Sequence, residues 1–182
     1  MRVITGSARG RKLRTLDGLD VRPTTAVVKE AMFSSIQFEV EGARALDLFA
    51  GSGQLGIEAL SRGAEFCVFV DSARLSREVV LENLQATGLM KRARVAGMDA
   101  LSFLGTSGDL FDIALLDPPY GQGILPQVLP LLARRMTDGG VILCESRREE
   151  VLPGEAGDFA VHKTYHYGKI KLTAYRRKEP RP

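Results

Sequence analysis

The segment from Asp47 to Gly56, which reads DLFAGSGQLG, constrains the fold of this 182-residue chain more than any other. The mostly apolar run at 43–46 before it predicts a buried strand of a parallel sheet, and apolar residues at helical spacing follow it. A strand, a glycine turn and a helix in this order place a ligand against helix amides at the carboxyl edge of a sheet. The segment therefore predicts an α/β fold with a ligand site after this strand.

The glycines of this segment indicate a cofactor that contains adenosine. Gly51, Gly53 and Gly56 form the pattern G-x-G-x-x-G, and Asp71 ends the next apolar run twenty residues after Gly51. An acid at that place bonds ribose hydroxyls, and the ribose belongs either to NAD or to S-adenosylmethionine. Asp47 favours S-adenosylmethionine, because the ammonium at its methionine end needs a carboxylate partner.

A second motif, Asp117-Pro118-Pro119-Tyr120, follows the apolar run 111–116. Pro118 and Pro119 have no amide hydrogens, so this rigid turn leaves carbonyl oxygens free to accept hydrogen bonds. The Asp117 carboxylate and the Pro118 carbonyl can accept both hydrogens of an exocyclic amine and aim its lone pair at an electrophilic methyl group. The ring of Tyr120, rather than its hydroxyl, offers a face for a base taken out of its stack. The motif predicts transfer of a methyl group to an amine, without a metal.

The order of predicted elements favours a parallel sheet with helical crossovers. Predicted strands at 43–48, 66–71, 93–96, 111–116 and 141–145 alternate with helices at 55–62, 74–87, 100–104 and 124–136. Two further strands, 159–165 and 170–176, are close enough to form only an antiparallel hairpin. At the other end, Val3–Thr5 and Lys12–Arg14 predict a short β-hairpin, and a helix follows Pro23.

Charge is segregated along the chain, whose formal net charge is +3. Residues 1–16 carry +5, residues 161–182 carry +6, and the 144 residues between them carry −8. Basic ends on an acidic body indicate a localised phosphate-binding surface. We predict RNA contacts from the basic turn and the entry of the following helix, through Arg9, Arg11, Lys12, Arg22 and Thr24.

Together, the two motifs resemble those of the class I methyltransferases that act on amines. The stretches 4–12, 22–33, 61–64, 145–146 and 167–175 are similar to those of the bacterial RsmD-type 16S rRNA guanine-N2 methyltransferases. Gln54 and Ile170 are mild departures, since a small residue and a threonine are commoner there.

The resemblance implies a Rossmann-like class I methyltransferase fold. Its sheet would be mostly parallel and seven-stranded with an antiparallel C-terminal hairpin, preceded by a short N-terminal β-hairpin and helix. One domain would comprise an RNA-docking extension at 1–40, a catalytic core at 41–176 and a basic tail at 177–182.

The resemblance also implies a division of the site residues. Asp71 would bind the ribose and Asp99 the adenine of S-adenosylmethionine. The predicted catalytic residues are Asp117, Pro118, Pro119 and Tyr120, and the predicted cofactor-binding residues are Asp47, Phe49, Ala50, Gly51, Ser52, Gly53, Asp71, Ser72, Asp99 and Ala100.

The expected partner is 16S rRNA within a small-subunit assembly particle, and we expect a cytoplasmic monomer that needs no metal and no membrane. Cys67 and Cys144 lie in predicted buried strands, which favours a reducing compartment over a disulfide framework. Three alternatives stay open: an amino-methyltransferase acting on adenine N6 of DNA or another RNA, an NAD-dependent oxidoreductase, and a nucleic-acid-binding module without catalysis. The target nucleotide and the roles of Glu145 and the C-terminal tail are not fixed by sequence.

Overall fold

A computed structural model describes residues 1–16 and 26–179. A 3₁₀ turn, Met90–Arg92, precedes the third strand. The remaining elements are, in chain order, α1 (Ala26–Ser34), β1 (Arg44–Asp47), α2 (Gln54–Ser61), β2 (Phe66–Val70), α3 (Arg74–Thr87), β3 (Ala93–Ala96), α4 (Ala100–Thr106), β4 (Phe111–Leu116), α5 (Leu125–Ala133), β5 (Met136–Arg147), β6 (Glu155–Ala156), β7 (Phe159–Tyr167) and β8 (Ile170–Arg177).

These strands form one twisted sheet in the order β3-β2-β1-β4-β5-β8-β7-β6. Strands β1 to β5 are parallel, and β8 inserts antiparallel between β5 and β7. The predicted fold class is therefore confirmed, including the antiparallel C-terminal hairpin. The two-residue strand β6 is an addition that pairs with the start of β7.

Each face of the sheet has its own hydrophobic core. One core is formed with α1, α2, α3 and the N-terminal segment, and the other with α4 and α5. Cys67 belongs to the first core and Cys144 to the second, so the sheet separates the two buried thiols. Within the described part of the chain, no helix combines the length and the apolar character that a membrane span requires.

The predicted N-terminal hairpin forms as a short antiparallel bridge between Arg2 and Lys12, flanked by backbone hydrogen bonds from Val3 to Arg11, from Gly10 to Val3 and from Leu13 to Met1. Beyond these bonds, the backbone amides of Ile4 and Thr5 donate to the two carboxylate oxygens of Glu58 on α2, at 2.9 and 3.0 Å. Similarly, the amide of Arg14 donates to Oδ1 of Asn83 on α3 at 2.8 Å. Side chains of two helices therefore bind the amides at the ends of this short paired stretch.

Three boundaries in the C-terminal half also differ from the prediction. The helix predicted to reach residue 136 ends at Ala133, and β5 begins at Met136, five residues before the predicted strand. The early part of β5 contains a register shift around Gly139 and Gly140, and this pair of glycines is typical of a turn in the sequence. Arg177, placed by the prediction in the basic tail, is the last residue of β8.

Candidate active site

A large cavity opens at the carboxyl edge of the sheet, where β1, β2 and β4 end side by side. Its volume is about 1410 Å³, which exceeds the roughly 300–1,000 Å³ of a site for one drug-sized ligand. The cavity therefore has room for a cofactor and part of a second molecule. It is lined by these predicted site residues: Asp47, Phe49, Ala50, Gly51, Ser52, Asp71, Ser72, Asp99, Ala100, Asp117, Pro118, Pro119 and Tyr120.

The predicted cofactor residue Gly53 does not line the cavity; instead it shapes the turn behind it. Its φ of 80° is left-handed, and an added Cβ would lie only 3.1 Å from the Val80 side chain. At Gly56 the constraint is packing, because a Cβ would lie 2.3 Å from the Phe69 ring. These two glycines let α2 begin directly after β1 and pack closely against β2.

Asp47, the last residue of β1, presents a buried carboxylate to the cavity. Its Oδ2 accepts a hydrogen bond from the Gly56 amide at 2.9 Å, and its Oδ1 has no hydrogen-bond partner among the described residues. Burial raises the pKa of the Asp47 carboxyl to about 8; the Gly56 hydrogen bond opposes this shift, and the nearby charges of Asp117 and Asp71 add to it. An unpartnered oxygen beside two further carboxylates suits a cationic N–H donor.

The carboxylate of Asp71, after β2, connects two loops at the rim of the cavity. Oδ2 accepts from the Gly51 amide and Oδ1 from the Ala73 amide, both at 2.9 Å. These bonds hold the glycine turn against the end of β2, in the place predicted for the ribose. Each carboxylate oxygen can accept more than one hydrogen bond, so they are compatible with hydroxyl donors as well.

Asp99 is the N-cap of α4. This structural role was not part of its predicted contact with adenine. Its side chain accepts from the Ser102 amide at 2.9 Å and from the Ser102 hydroxyl at 2.6 Å, and these bonds lower the pKa of Asp99. Asp99 and Ala100 nevertheless line the cavity beside Met98 and Leu101. The apolar neighbours give this end of the cavity the character that a planar base requires.

Tyr120 is held by two side chains of β5. Its hydroxyl donates to Oε1 of Glu145 at 3.0 Å, and the Arg147 guanidinium lies 5.3 Å from the ring centroid. Glu145 is fully buried, whereas Arg147 is exposed and lines the cavity. The sequence reasoning gave the Tyr120 hydroxyl no role, and the structure shows that it has one.

Sequence reasoning also missed two cations at the cavity, Arg147 and Lys169. Arg147 ends β5 and Lys169 lies in the turn between β7 and β8, where Arg147 pairs with Ile170. The charge excess of residues 161–182 was a visible signal for Lys169, whereas Arg147 lies in the acidic body of the chain. The charge excess did not show which cations reach the cavity, because that depends on the pairing of β5 with β8.

The predicted RNA-docking residues Arg9, Arg11 and Lys12 are exposed but do not line the cavity. Their turn is docked at Ser61, the last residue of α2, through the Ser7 and Ala8 amides. Helix α2 has eight residues and is about 12 Å long, and its first residue lines the cavity. The tip of the turn is therefore held at the end of α2 away from the cavity, whereas Met1 and Leu16 of the same segment line the cavity. The predicted residues Arg22 and Thr24 lie outside the described residues.

The structure gives no grouping of metal ligands in the described ranges 1–16 and 26–179, where no three His, Cys, Asp or Glu side chains are arranged to hold a metal ion. His162 and His166 are both exposed on β7; His162 lies within the register shift between Val161 and Lys163, and His166 lies in the regular part that follows. The Asp47, Asp71 and Asp117 carboxylates all line the cavity, where the latter two act on Asp47 through their charges.

The sheet order, with one inserted antiparallel strand and a glycine turn after β1, defines a class I methyltransferase fold. A solved structure of the Escherichia coli protein yhhF is similar throughout, with a TM-score of 0.87, 37% identity and 98% of each chain covered.

The family described as Conserved hypothetical protein 95 matches residues 1–176. Ribosomal RNA small subunit methyltransferase D of Escherichia coli (strain K12) is 36% identical over 97% of this chain and 90% of its own length. The protein of the same name from Haemophilus influenzae is 33% identical, over 84% of this chain and 81% of its own length. The chain belongs to this family, and its relatives identify the family as that of the RsmD-type methyltransferases, as the motifs predicted.

Proposed function

We propose that this protein transfers a methyl group from S-adenosylmethionine to the exocyclic N2 amine of a guanine in 16S rRNA of the small ribosomal subunit. One observation carries the proposal: the buried carboxylate of Asp47 and the motif Asp117 to Tyr120 line the same cavity. The names of the relatives support rRNA as the substrate. The choice of N2 rests on the resemblance of the motifs.

The residues at the cavity fit S-adenosylmethionine. Asp47 Oδ1 would accept from the ammonium of its methionine end, which supplies the N–H donor that this buried oxygen lacks among the described residues. Three carboxylates, those of Asp47, Asp71 and Asp117, make the cavity favourable for a ligand with two positive centres. Asp71 would bind the ribose, and Asp99 with Ala100 would contact the adenine. The cofactor would supply an electrophilic methyl group bound to a sulfonium sulfur. After transfer, that sulfur belongs to a neutral thioether.

The catalytic work of the chain is to position the amine. Asp117 and the Pro118 carbonyl accept the two N–H bonds of the base, so that its nitrogen lone pair points toward the methyl group. Asp117 would take the proton that the amine loses as its nitrogen–carbon bond forms and the carbon–sulfur bond of the cofactor breaks. Holding the reacting atoms about 3–3.5 Å apart supplies roughly 7–11 kcal/mol of the barrier. Tyr120 stacks on the extruded base.

The rRNA would reach the cavity along its basic side. Arg147 and Lys169 line the opening and provide two phosphate contacts close to the extruded base. Arg9, Arg11 and Lys12 would contact the RNA farther away, and a small-subunit assembly particle presents such an extended surface. We propose a monomer acting in the cytoplasm, where ribosomes assemble.

The experiment is transfer of labelled methyl groups from S-adenosylmethionine to rRNA from cells that lack the enzyme, followed by nucleoside analysis. We expect the label in N2-methylguanosine of 16S rRNA. Label in N6-methyladenosine would contradict the guanine assignment, and transfer only to DNA would contradict the RNA assignment. Binding of NAD without binding of S-adenosylmethionine or S-adenosylhomocysteine would overturn the cofactor and favour the oxidoreductase alternative.

A further inference from the structure

The hydrogen bond between Tyr120 and Glu145 requires a carboxyl group in the protein interior, where the loss of its hydration costs free energy. This cost indicates that the contact has a specific role. Glu145 is 0% exposed, and a buried carboxylate is retained only where polar partners compensate for its lost hydration. The Tyr120 hydroxyl donates a hydrogen bond to Glu145 at 3.0 Å, and Tyr120 lies in a turn 25 residues earlier in the chain. Because Tyr120 is part of the catalytic motif and Glu145 is not, the hydrogen bond joins the substrate side of the cavity to the core of the sheet.

The pairing of the strands explains how Glu145 reaches this tyrosine. Strand β5 lies beside β4, with Leu116 paired to Cys144, so Glu145 follows directly at the carboxyl edge of the sheet. Residues 145 and 147 of a strand point to the same face. Consequently Glu145 meets the hydroxyl of Tyr120 while Arg147 lies over its ring, and a single strand contacts the tyrosine at two places.

We infer that Glu145 is a positioning residue for methyl transfer, which holds the Tyr120 ring in the orientation that receives the target base. The inference rests on the proposed function, since it gives the tyrosine ring its substrate. A tyrosine side chain without such a bond can rotate about its side-chain torsions, whereas a hydroxyl bonded to a buried carboxylate fixes one orientation. Glu145 therefore acts on turnover through Tyr120 and not through the cofactor.

A double-mutant cycle tests this inference by measuring kcat, KM for rRNA and the cofactor Kd. For Tyr120→Phe and for Glu145→Ala, we expect kcat to fall about 10- to 100-fold, because each variant loses the hydrogen bond that fixes the orientation of the residue 120 ring. The double variant Tyr120→Phe/Glu145→Ala should be no slower than the slower single variant, since both changes remove the same hydrogen bond. Glu145→Gln should restore much of kcat, because an amide oxygen accepts from the hydroxyl. Calorimetry with S-adenosylhomocysteine should give a cofactor Kd within about threefold of the wild type in all four variants.

Ser146→Ala is a matched control. Ser146 is equally buried on the same strand but faces the opposite side of the sheet, and its hydroxyl bonds to the Arg147 carbonyl at 3.3 Å. We expect kcat of this variant to stay at the wild-type value. Losses that multiply in the double variant, or a normal kcat in Glu145→Ala, would overturn the inference.

A second measurement separates the inference from the proposed function. In protein carrying ¹³C-labelled tyrosine rings, the Tyr120 signal is assigned by its absence in Tyr120→Phe. We expect this signal to move in Glu145→Ala and to stay near its wild-type position in Glu145→Gln and Ser146→Ala. An unmoved signal in Glu145→Ala contradicts the inference whatever the activity is, whereas wild-type protein that binds cofactor but methylates no rRNA contradicts the proposed function alone.

Discussion

At the residue scale, Asp47 is the group whose chemistry departs most from that of an exposed side chain. With its pKa raised to about 8 by burial, the carboxyl is largely protonated at pH 7 in the free protein. An ammonium group binds to the ionised form. Cofactor binding should therefore displace a proton and become stronger as the pH rises toward 8.

The first prediction is that binding of S-adenosylhomocysteine at pH 7 releases close to one proton in the wild type and none in Asp47→Asn. The number is measured by calorimetry in buffers of different ionisation enthalpy. In addition, the Asp47→Asn variant should bind more weakly, by about 1–3 kcal/mol, because an amide does not supply a charged partner. Proton-neutral binding by the wild type would show that Asp47 does not receive the ammonium.

The same pKa has a consequence for the stability of the free protein. The folded state keeps the Asp47 proton up to about pH 8, and the unfolded state loses it near pH 4. The unfolded state thus binds fewer protons between these values, so the free energy of unfolding should fall as the pH rises through this interval. Chemical denaturation of Asp47→Asn should show less of this decrease than the wild type; an equal decrease in both would rule out Asp47 as its source.

The second prediction concerns Asp117. Since its proposed partner is the base, Asp117→Ala should lose turnover while its cofactor Kd stays within a few-fold of the wild type. Asp117→Asn separates positioning from charge: an amide oxygen still accepts a hydrogen bond but does not take up the proton. Single-turnover methylation well above that of the alanine variant would assign Asp117 to positioning. A large loss of cofactor affinity in either variant would instead place Asp117 at the cofactor.

Much of this site was predictable at the residue scale because its motifs are local in sequence. Asp47 ends β1 and Asp117 directly follows β4, and parallel strands bring their carboxyl ends to one edge, so their meeting at one cavity follows from the pattern. The role of Glu145 did not follow. Its contact with Tyr120 depends on the side-by-side pairing of β4 and β5 and on the face that residue 145 occupies, which spacing in the sequence does not fix.

At the element scale, the N-terminal segment is an integral part of the fold. Glu58 of α2 is 0% exposed, and its carboxylate accepts hydrogen bonds from two backbone amides of the segment. It also forms ion pairs with Lys29 of α1 at 3.4 Å and with Arg62 at 2.9 Å. Val3 and Leu13 of the segment are each only 2% exposed. The sequence predicted an RNA-docking extension at 1–40 beside a separate catalytic core. Removing the extension would expose part of a core and leave Glu58 without its backbone donors.

The third prediction is that Glu58→Ala lowers the free energy of unfolding by about 3–5 kcal/mol, because Lys29 is then buried without its carboxylate partner. Burial already lowers the pKa of Lys29, and the charge of Glu58 opposes that shift. Urea denaturation measures the change. Glu78→Ala, which removes an exposed pair with Arg74 on α3, is the control and should change stability by less than about 1 kcal/mol. Equal losses in the two variants would mean that the buried pair contributes little.

At the scale of the whole molecule, folding redistributes the charges that the sequence shows in blocks. Arg176 pairs with Glu39 at 2.6 Å, Lys178 with Glu155 at 2.7 Å, and Arg177 with Asp138. These ion pairs bind part of the basic C-terminal block to acids of the body. Arg147 and Lys169, by contrast, line the cavity. Net charge per segment therefore predicted that a basic surface exists but not where it lies.

The fourth prediction compares two sets of cations in intact protein. Replacing Arg147 and Lys169 by Ala should weaken rRNA binding and lower the salt slope by about 0.7–0.9 for each phosphate that the protein no longer neutralises. Replacing Arg9, Arg11 and Lys12 should do the same if the N-terminal turn docks the RNA. Filter binding across a range of salt concentrations gives both slopes.

The control for both sets is a variant with Lys91→Ala and Arg134→Ala. Both residues are exposed, and they precede β3 and β5 at the edge of the sheet opposite the cavity. We expect this variant to keep the wild-type salt slope. A triple variant of the N-terminal turn with an unchanged slope would show that this turn serves folding and not RNA binding.

The side chain of Asn83 gives the molecule a further property. This residue is 2% exposed, and its side-chain amide donates to the backbone carbonyls of Arg14 and Ser52, at 3.0 and 2.9 Å. One side chain therefore binds both the N-terminal segment and the glycine turn. If cofactor binding and RNA binding each favour the same arrangement of this group, each ligand must raise the affinity for the other by the same factor. An enzyme linked in this way would bind RNA more weakly once its cofactor has left the cavity, and it would release the RNA without a separate signal.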